Sequence, residues 1–319
     1  MAGPKGIWRS AIKRDSSTMT AQEAQMRGAR ACAGVVLYQP DAALLARQAE
    51  GLHGLTLFVF ANGPVEAQAL AALAPTQLRL ISSAENVGLG QGLNAVMRAA
   101  AAEGFSHVML LDQDSEPPVG LLNALTERCV ALEERGEKVA VLAPRLVPPQ
   151  EGFYKPIRYE WRGSTRVDGL APLEFAPTSG SLVSLPAFAA IGPFRDDFFI
   201  AGLDVEWGFR AWAHGWGSYL ASDLAMPHRW GEAVSEEELG MAQILRHAPL
   251  RNYYYVRNVI ATARLPHVPL RWRLRSCAGL AAQIGLLALK GPPGSLRPVR
   301  AGLVDGIRGR LGPAPASVA

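Results

Sequence analysis

The sequence predicts an α/β fold built on a mostly parallel sheet. Short apolar runs alternate with stretches of helical spacing, the runs are apolar at consecutive positions, and polar or turn-forming residues gather directly after each run. A strand that is apolar on both faces needs cover on both faces, which is the situation of a parallel sheet sandwiched by helices. Ligands in such sheets bind beyond the carboxyl ends of the strands.

Taken in order, GVVLY (34–38) reads as a buried strand ending in Gln39-Pro40, after which Asp41 caps a helix to about Glu50. LTLFVFAN (55–62) is a second strand, closed by Gly63-Pro64 with Pro64 at a helix start. QLRLISS (77–83) is a third and SHVMLLDQD (106–114) a fourth, while 88–103 and 118–135 have helical spacing. VAVLAP (139–144) is a further strand, and the Tyr-, Trp- and Arg-rich stretch after it reads as a loop or hairpin. TSGSLVS (178–184) is a small-residue turn feeding a strand, and Asp204 to His214 is helical.

A chain of 319 residues, half of them hydrophobic, can bury an ample core, and disordered, collagenous and disulfide-scaffold classes are excluded. Cys32, Cys129 and Cys277 lie far apart and odd in number, which suits structural thiols in a reducing cytoplasm. Charge is uneven: residues 1–30 carry six basic and two acidic side chains, 250–319 carry eleven and one, and 31–249 carry 15 against 25. Residues 1–30 are therefore expected to be a disordered extension, 31–249 the main domain, and 250–319 a basic helical appendage. The uncharged run 276–289 is fourteen residues, short of the ~20 needed to cross a bilayer, and 175–194 is broken by three prolines, so no membrane span is expected.

Four sites could carry chemistry. Asp112-Gln113-Asp114 ends a strand with two carboxylates able to share a hard cation; alternatively Asp114 or Ser115 merely caps the next helix. In NVGLGQGLN (86–94) the glycines permit close backbone approach before a helix whose N-terminus favours an anion, or else Gly90 and Gly92 simply pack on the sheet. Asp204 and Glu206 sit in an apolar context that raises a carboxylate's pKa toward that of a general base; the alternative is that Asp204 caps the helix while Glu206 pairs with Arg210. His228 follows another strand and is a third metal or phosphate contact, or simply structural. The remaining histidines, His107 among them, show no partner spacing.

In this order, strand–YQP, strand–NG, ENVGLGQGLN, LLDQDS, TSGSL, DVEW and His, the chain resembles the family-2 glycosyltransferases, and within them the rhamnosyltransferase-like branch. The resemblance covers about residues 33–310, including RNYYYVRN (251–258) and GLVDGIRGRLG (302–312). It implies the GT-A fold, a Rossmann-like, mostly parallel sheet flanked by helices. By the same resemblance Tyr38, Pro40, Asn62, Asn86, Gly88, Asn94, Asp112 and Gln113 bind the nucleotide-sugar donor. Ser179, Gly180, Ser181, Glu206 and Trp207 face sugar or acceptor. Asp114, Asp112 and His228 hold Mg²⁺ or Mn²⁺, and Asp204 is the base of an inverting transfer, with L-rhamnose from dTDP-rhamnose the favoured sugar. Two departures stand out: Ala61 and Ala201 occupy positions where the family usually has aspartate.

The acceptor implied is a glycan or lipid-linked hydroxyl in cell-surface polysaccharide synthesis. Residues 270–319 then either lie against an anionic membrane, placing the protein at the inner face of the cell membrane, or dock on the domain with solvated arginines. A non-catalytic sugar-nucleotide binder or scaffold is the alternative function. Nucleic-acid binding is not expected, because the basic ends carry no recognisable module.

Overall fold

The computed structural model describes residues 29–148, 159–163, 169–228, 244, 248–316 and 318. Eight strands form one sheet: β1 (Ala31–Leu37), β2 (Thr56–Asn62), β3 (Gln77–Ser83), β4 (His107–Leu111), β5 (Val139–Val147), β6 (Ala171–Leu173), β7 (Ser181–Ser184) and β8 (Gly217–Pro227). Their order is β3-β2-β1-β4-β7-β5-β8-β6. Strands β1 to β4, β5 and β8 run in one direction, whereas β7 is antiparallel to both β4 and β5 and β6 is antiparallel to β8. The sheet is thus mostly parallel, as expected, with two reversed strands.

The continuous apolar runs are explained by burial on two faces. Along β1, Cys32 and Val36 enter one core with Phe58, Phe60, Val96 and Met97, while Ala33, Val35 and Leu37 enter the other with Leu45, Val59 and Leu125. The first core is covered by α3 (Leu89–Ala102), α5 (Leu185–Ile191) and α6 (Leu203–Ala213); the second by α1 (Ala42–Gly51), α2 (Ala67–Ala71) and α4 (Leu121–Glu134). Asp41 caps α1 as expected, its Oδ1 accepting from Ala43 N (2.7 Å) and Leu44 N (3.2 Å). Two helix starts shift. Pro64 does not open α2, which begins three residues later, and α4 starts at Leu121 after a left-handed Gly120, not at Pro118.

The C-terminal segment supplies α7 (Pro249–Ala263), α8 (Leu270–Lys290) and α9 (Leu296–Arg308). Helices α7 and α9 cross closely: a Cβ on Gly302 would stand 2.6 Å from the Tyr253 carbonyl oxygen, and one on Gly306 2.9 Å from that of Arg257. Among the described residues no helix is long and apolar enough to cross a membrane. The expected extension at 1–30 falls almost wholly outside the described residues, as do residues 149–158 and 164–168 of the expected loop or hairpin.

Candidate active site

The carboxyl edge of the parallel strands gathers the polar residues that follow them. At the end of β1 the exposed Tyr38 donates its backbone N–H to Gln113 Oε1 (2.9 Å), tying the YQP loop, Pro40 included, to the DQD loop. At the ends of β2 and β3, Asn62 donates to Asn86 Oδ1 (3.0 Å) and accepts from Val87 N (2.8 Å), while Gly88 N also donates to Asn86 Oδ1 (3.0 Å). The chain enters β7 from this same edge because that strand is reversed. Its small-residue turn, with Gly180 at φ 74°, therefore lies beside the end of β4, where Gly180 N donates to Leu110 O (2.7 Å). A Cβ on Gly180 would meet the Met226 sulfur at 2.7 Å, so only glycine fits.

Asp112, Asp114 and His228 converge, with one donor atom from each lying within 4.8 Å of the others. His228 Nε2 stands 3.9 Å from Asp112 Oδ2. Its other nitrogen, Nδ1, meets Ser179 Oγ at 3.3 Å; Ser179 is 2.6 Å from Ser115 Oγ, which accepts from Asp112 N (3.1 Å). This buried chain fixes the imidazole so that Nε2 faces the carboxylates, the usual support for a histidine that ligates metal. Buried Gln48 adds hydrogen bonds to the carbonyls of Asp112 (2.8 Å) and Ser115 (3.1 Å). Two carboxylates and one imidazole suit a divalent cation of the Mg²⁺ or Mn²⁺ class.

The electrostatics agree with that donor set. Desolvation in the cleft pushes Asp112 up to about 7, the Asp114 charge adding to it and Arg251 opposing it. Because 42% of the Asp112 side chain stays accessible, a cation in the cleft can reach the carboxylate and reverse the shift. Burial holds His228 below its ordinary value, with Asp114 opposing, which favours the neutral imidazole, the form that ligates a metal.

Asp204 sits in the first turn of α6, whose N-cap is Gly202, so it is not the cap. Burial pushes its carboxyl up to about 6, against hydrogen bonds from the backbone N–H groups of Val205 and of Asp204 itself, and the Asp112 charge raises it further. Asp204 and Asp112 are therefore near enough for their charges to act on each other. Beside Asp204 a narrow cavity is lined by Thr178, Ser181, Trp207 and Gly208.

Several expected contacts have other partners. Asn94 is buried, and both ends of its amide are used by Phe194: Nδ2 donates to Phe194 O and Oδ1 accepts from Phe194 N, each at 2.9 Å. The start of α3 is not an open anion site, because Leu89 N (2.6 Å) and Gly90 N (3.4 Å) donate to Phe199 O; Gly92 packs on Val36 and Phe60 of the sheet. Glu206 is buried in a bidentate pair with Arg210 (3.0 and 2.9 Å) and a contact to His267 (3.0 Å), which matches the ion-pair alternative. Trp207 is buried, its Nε1 donating to Gly192 O (2.9 Å). Ser179 and Ser181 are likewise buried, Ser181 donating to Pro177 O (2.5 Å). Neither Asp114 nor Ser115 caps α4.

Sequence reasoning missed what holds the loop before Asp204. Phe199 (φ 65°) and Ala201 (φ 69°) are left-handed, and Asn258 Nδ2 donates to the carbonyls of Phe198 (3.0 Å), Ile200 (2.8 Å) and Ala201 (2.8 Å). Arg257, fully buried, donates to Phe198 O (2.8 Å), and Tyr254 stacks on Phe199 with centroids 5.1 Å apart. The second Arg-Asn of RNYYYVRN is thus the anchor of the strained loop, and the first turn of the same helix brings the Arg251 charge to Asp112.

No family model matches the chain. Its sequence is similar to the dTDP-rhamnosyl transferase RfbF of Shigella flexneri, 27% identical over 206 residues that span 62% of this chain and 67% of that protein. Its fold is similar to residues 1–349 of TarS from S. aureus in complex with UDP-GlcNAc (TM-score 0.51, 12% identity, 88% of this chain and 81% of that one). It is also similar to GalNAc-T7 with UDP, GalNAc and Mn²⁺ (TM-score 0.51, 11% identity, 78% of this chain), although it spans only 54% of that protein. The fold is that of the GT-A glycosyltransferases, and the resemblance to their family-2, rhamnosyltransferase-like branch is borne out.

Proposed function

We propose that this GT-A, rhamnosyltransferase-like chain is a glycosyltransferase that uses a nucleotide-sugar donor, transferring L-rhamnose from dTDP-rhamnose to a hydroxyl of a glycan or lipid-linked acceptor with inversion. The observation that carries the reading is the meeting of Asp112, Asp114 and His228, together with a raised Asp204 that feels the Asp112 charge. The likeness to a dTDP-rhamnosyl transferase supports the choice of sugar.

Asp204, with its carboxyl near 6, is mostly ionised at neutral pH yet basic enough to take a proton. It accepts the proton of the acceptor hydroxyl as that oxygen bonds to the anomeric carbon. The bond from this carbon to the diphosphate oxygen breaks on the opposite face, so one displacement inverts the centre without a covalent enzyme intermediate. Asp112, Asp114 and His228 would hold Mg²⁺ or Mn²⁺, whose chemistry is to neutralise charge on a departing diphosphate. Tyr38 and Pro40 flank the base and ribose, Asn62 and Asn86 shape the adjoining edge, and Gln113 keeps the YQP loop against the metal loop. Arg251 adds a positive charge on the diphosphate side of Asp112.

The C-terminal helices bring the cleft to an anionic membrane surface. Along α8, Leu270, Leu274, Cys277, Ala281, Ala288 and Leu289 are exposed at helical spacing, with Arg271 and Arg275 beside them; on α9, Val304 and Ile307 are exposed near Arg300 and Arg308. Exposed apolar residues bordered by arginines suit the headgroup layer. The transfer reading is tested by incubating the protein with a panel of nucleotide sugars and Mn²⁺ and measuring nucleoside diphosphate release. Release from dTDP-rhamnose above the other donors is expected; release from none of them overturns the reading.

A further inference from the structure

We infer that His107, Cys129 and Glu133 form a second metal site, for a borderline divalent cation such as Zn²⁺, at the end of the sheet opposite the cleft. His107 opens β4, whereas Asp112 follows its last residue, so the two sites are separated by the length of that strand, roughly 16 Å. Cys129 and Glu133 stand four apart on one face of α4, which packs over the same strand.

The spacing of the donor atoms fits a shared ion. His107 Nε2 is 3.5 Å from Cys129 Sγ and 3.4 Å from Glu133 Oε1, and Cys129 Sγ is 3.9 Å from Glu133 Oε1. Tetrahedral bonds of ~2.0–2.3 Å to nitrogen, oxygen and sulfur place neighbouring donors roughly 3.3–3.8 Å apart. Sulfur, imidazole and one carboxylate form a zinc-type set, distinct from the two carboxylates and imidazole of the cleft.

Hydrogen bonding around the ring is compatible with a cation. Ser106 Oγ donates to the Arg30 carbonyl (3.1 Å), so at 2.9 Å it accepts from His107 Nδ1. In the tautomer with the proton on Nδ1, the Nε2 lone pair faces both the Glu133 carboxylate at 3.4 Å and the Cys129 thiol at 3.5 Å, whose S–H can donate to it. A metal ion would take the place of the thiol proton and join all three donors, with Ser106 the outer support that orients the ligating ring. His107 and Cys129 are buried, while 34% of the Glu133 side chain is accessible, so an ion enters and a fourth ligand binds from that side. Cys32, whose Sγ donates to the His107 carbonyl (3.7 Å), lies outside the donor set. Such an ion would staple β4 to α4 without touching the reacting atoms.

The test is direct and does not depend on transferase activity. The full-length protein, stripped with a chelator, is titrated with Co²⁺ and separately with Zn²⁺. A thiolate-to-cobalt absorption band saturating at about one equivalent is expected, and it should persist in Cys32→Ser, Cys277→Ser and Asp114→Asn. Cys129→Ser should lose the band, and Glu133→Gln, altered at the solvent-facing ligand, should weaken Co²⁺ binding about tenfold or more. The other solution is a metal-free one, with the Cys129 S–H donating to Nε2 or a proton on Nε2 pairing with Glu133. That solution predicts no band in the folded protein, and this result overturns the inference, as does a band that survives in Cys129→Ser. If Cys129→Ser does not fold, unchanged Co²⁺ affinity in Glu133→Gln overturns it equally.

Discussion

Asn258 donates its side-chain amide to the carbonyl of Ala201 at 2.8 Å, three residues before Asp204. The same amide reaches Ile200 and Phe198, so one buried side chain of the C-terminal helices fixes the turn that aims the proposed base. Removing it leaves the carbonyls of Ile200 and Ala201 short of a donor, while Arg257 still reaches that of Phe198. Asn258→Ala is expected to destabilise the protein by about 2–4 kcal/mol, measured by urea unfolding. In the fraction that folds, kcat should fall more than KM for the donor changes, because the loop and not the nucleotide edge is disturbed.

Ala201 itself is strained. A non-glycine residue at φ 69° costs about 1–2 kcal/mol relative to glycine. Ala201→Gly should therefore raise stability, by about 0.5–1 kcal/mol after the added freedom of the unfolded chain is subtracted. The same urea titration reads it, and a loss of stability would mean that the left-handed turn is not strained.

Asp204→Asn should separate chemistry from binding. General-base catalysis is worth about 10²–10⁴-fold, so turnover should fall by that factor while donor affinity, followed by calorimetry, stays within about twofold of wild type.

The raised carboxyl of Asp204 also predicts two opposite pH responses. Activity requires the ionised form, so kcat should fall with a slope of one proton as pH drops below about 6. Stability has the reverse sign. A carboxyl near 6 in the folded chain, against ~3.9 unfolded, binds its proton more tightly when folded, so its penalty is absent below pH ~4, grows through the interval and is complete above about 6. Asp204→Asn should thus be more stable than wild type at pH 7.5, by about 1–2 kcal/mol once partial exposure is discounted, and equally stable at pH 4.

Much of this was legible in local patterns. Five of the expected strands were marked by apolar runs, and Asp112, Asp114, Asp204 and His228 were marked by their places beside them. What escaped depends on contacts between distant segments. Asn94 and Phe194 are 100 residues apart in the chain, and nothing local says that a loop carbonyl at Phe199 will close the start of the helix at Leu89. The reversal of β7 was equally hidden, since a four-residue strand looks the same in either direction. His107 showed no partner by spacing because its partners lie on the next helix, folded back over its strand, with Cys129 22 residues on.

The exposed face of α8 predicts membrane partitioning. Flotation with anionic phosphatidylglycerol vesicles should recover wild type, and the paired change Leu270→Glu with Leu274→Glu should lower recovery about tenfold or more. Equal recovery of the two proteins would leave the helices as a docked appendage.

In the proposed mechanism one cleft joins a cation site to a base. This is tested most directly by measuring TDP release from dTDP-rhamnose by wild type and Asp114→Asn, each with Mn²⁺ and with chelator. Release is expected from wild type with Mn²⁺ alone, with at least a hundredfold loss on chelation or in the variant, about the scale of one lost charge-stabilising contact. Release that is indifferent to both chelator and Asp114→Asn would contradict it.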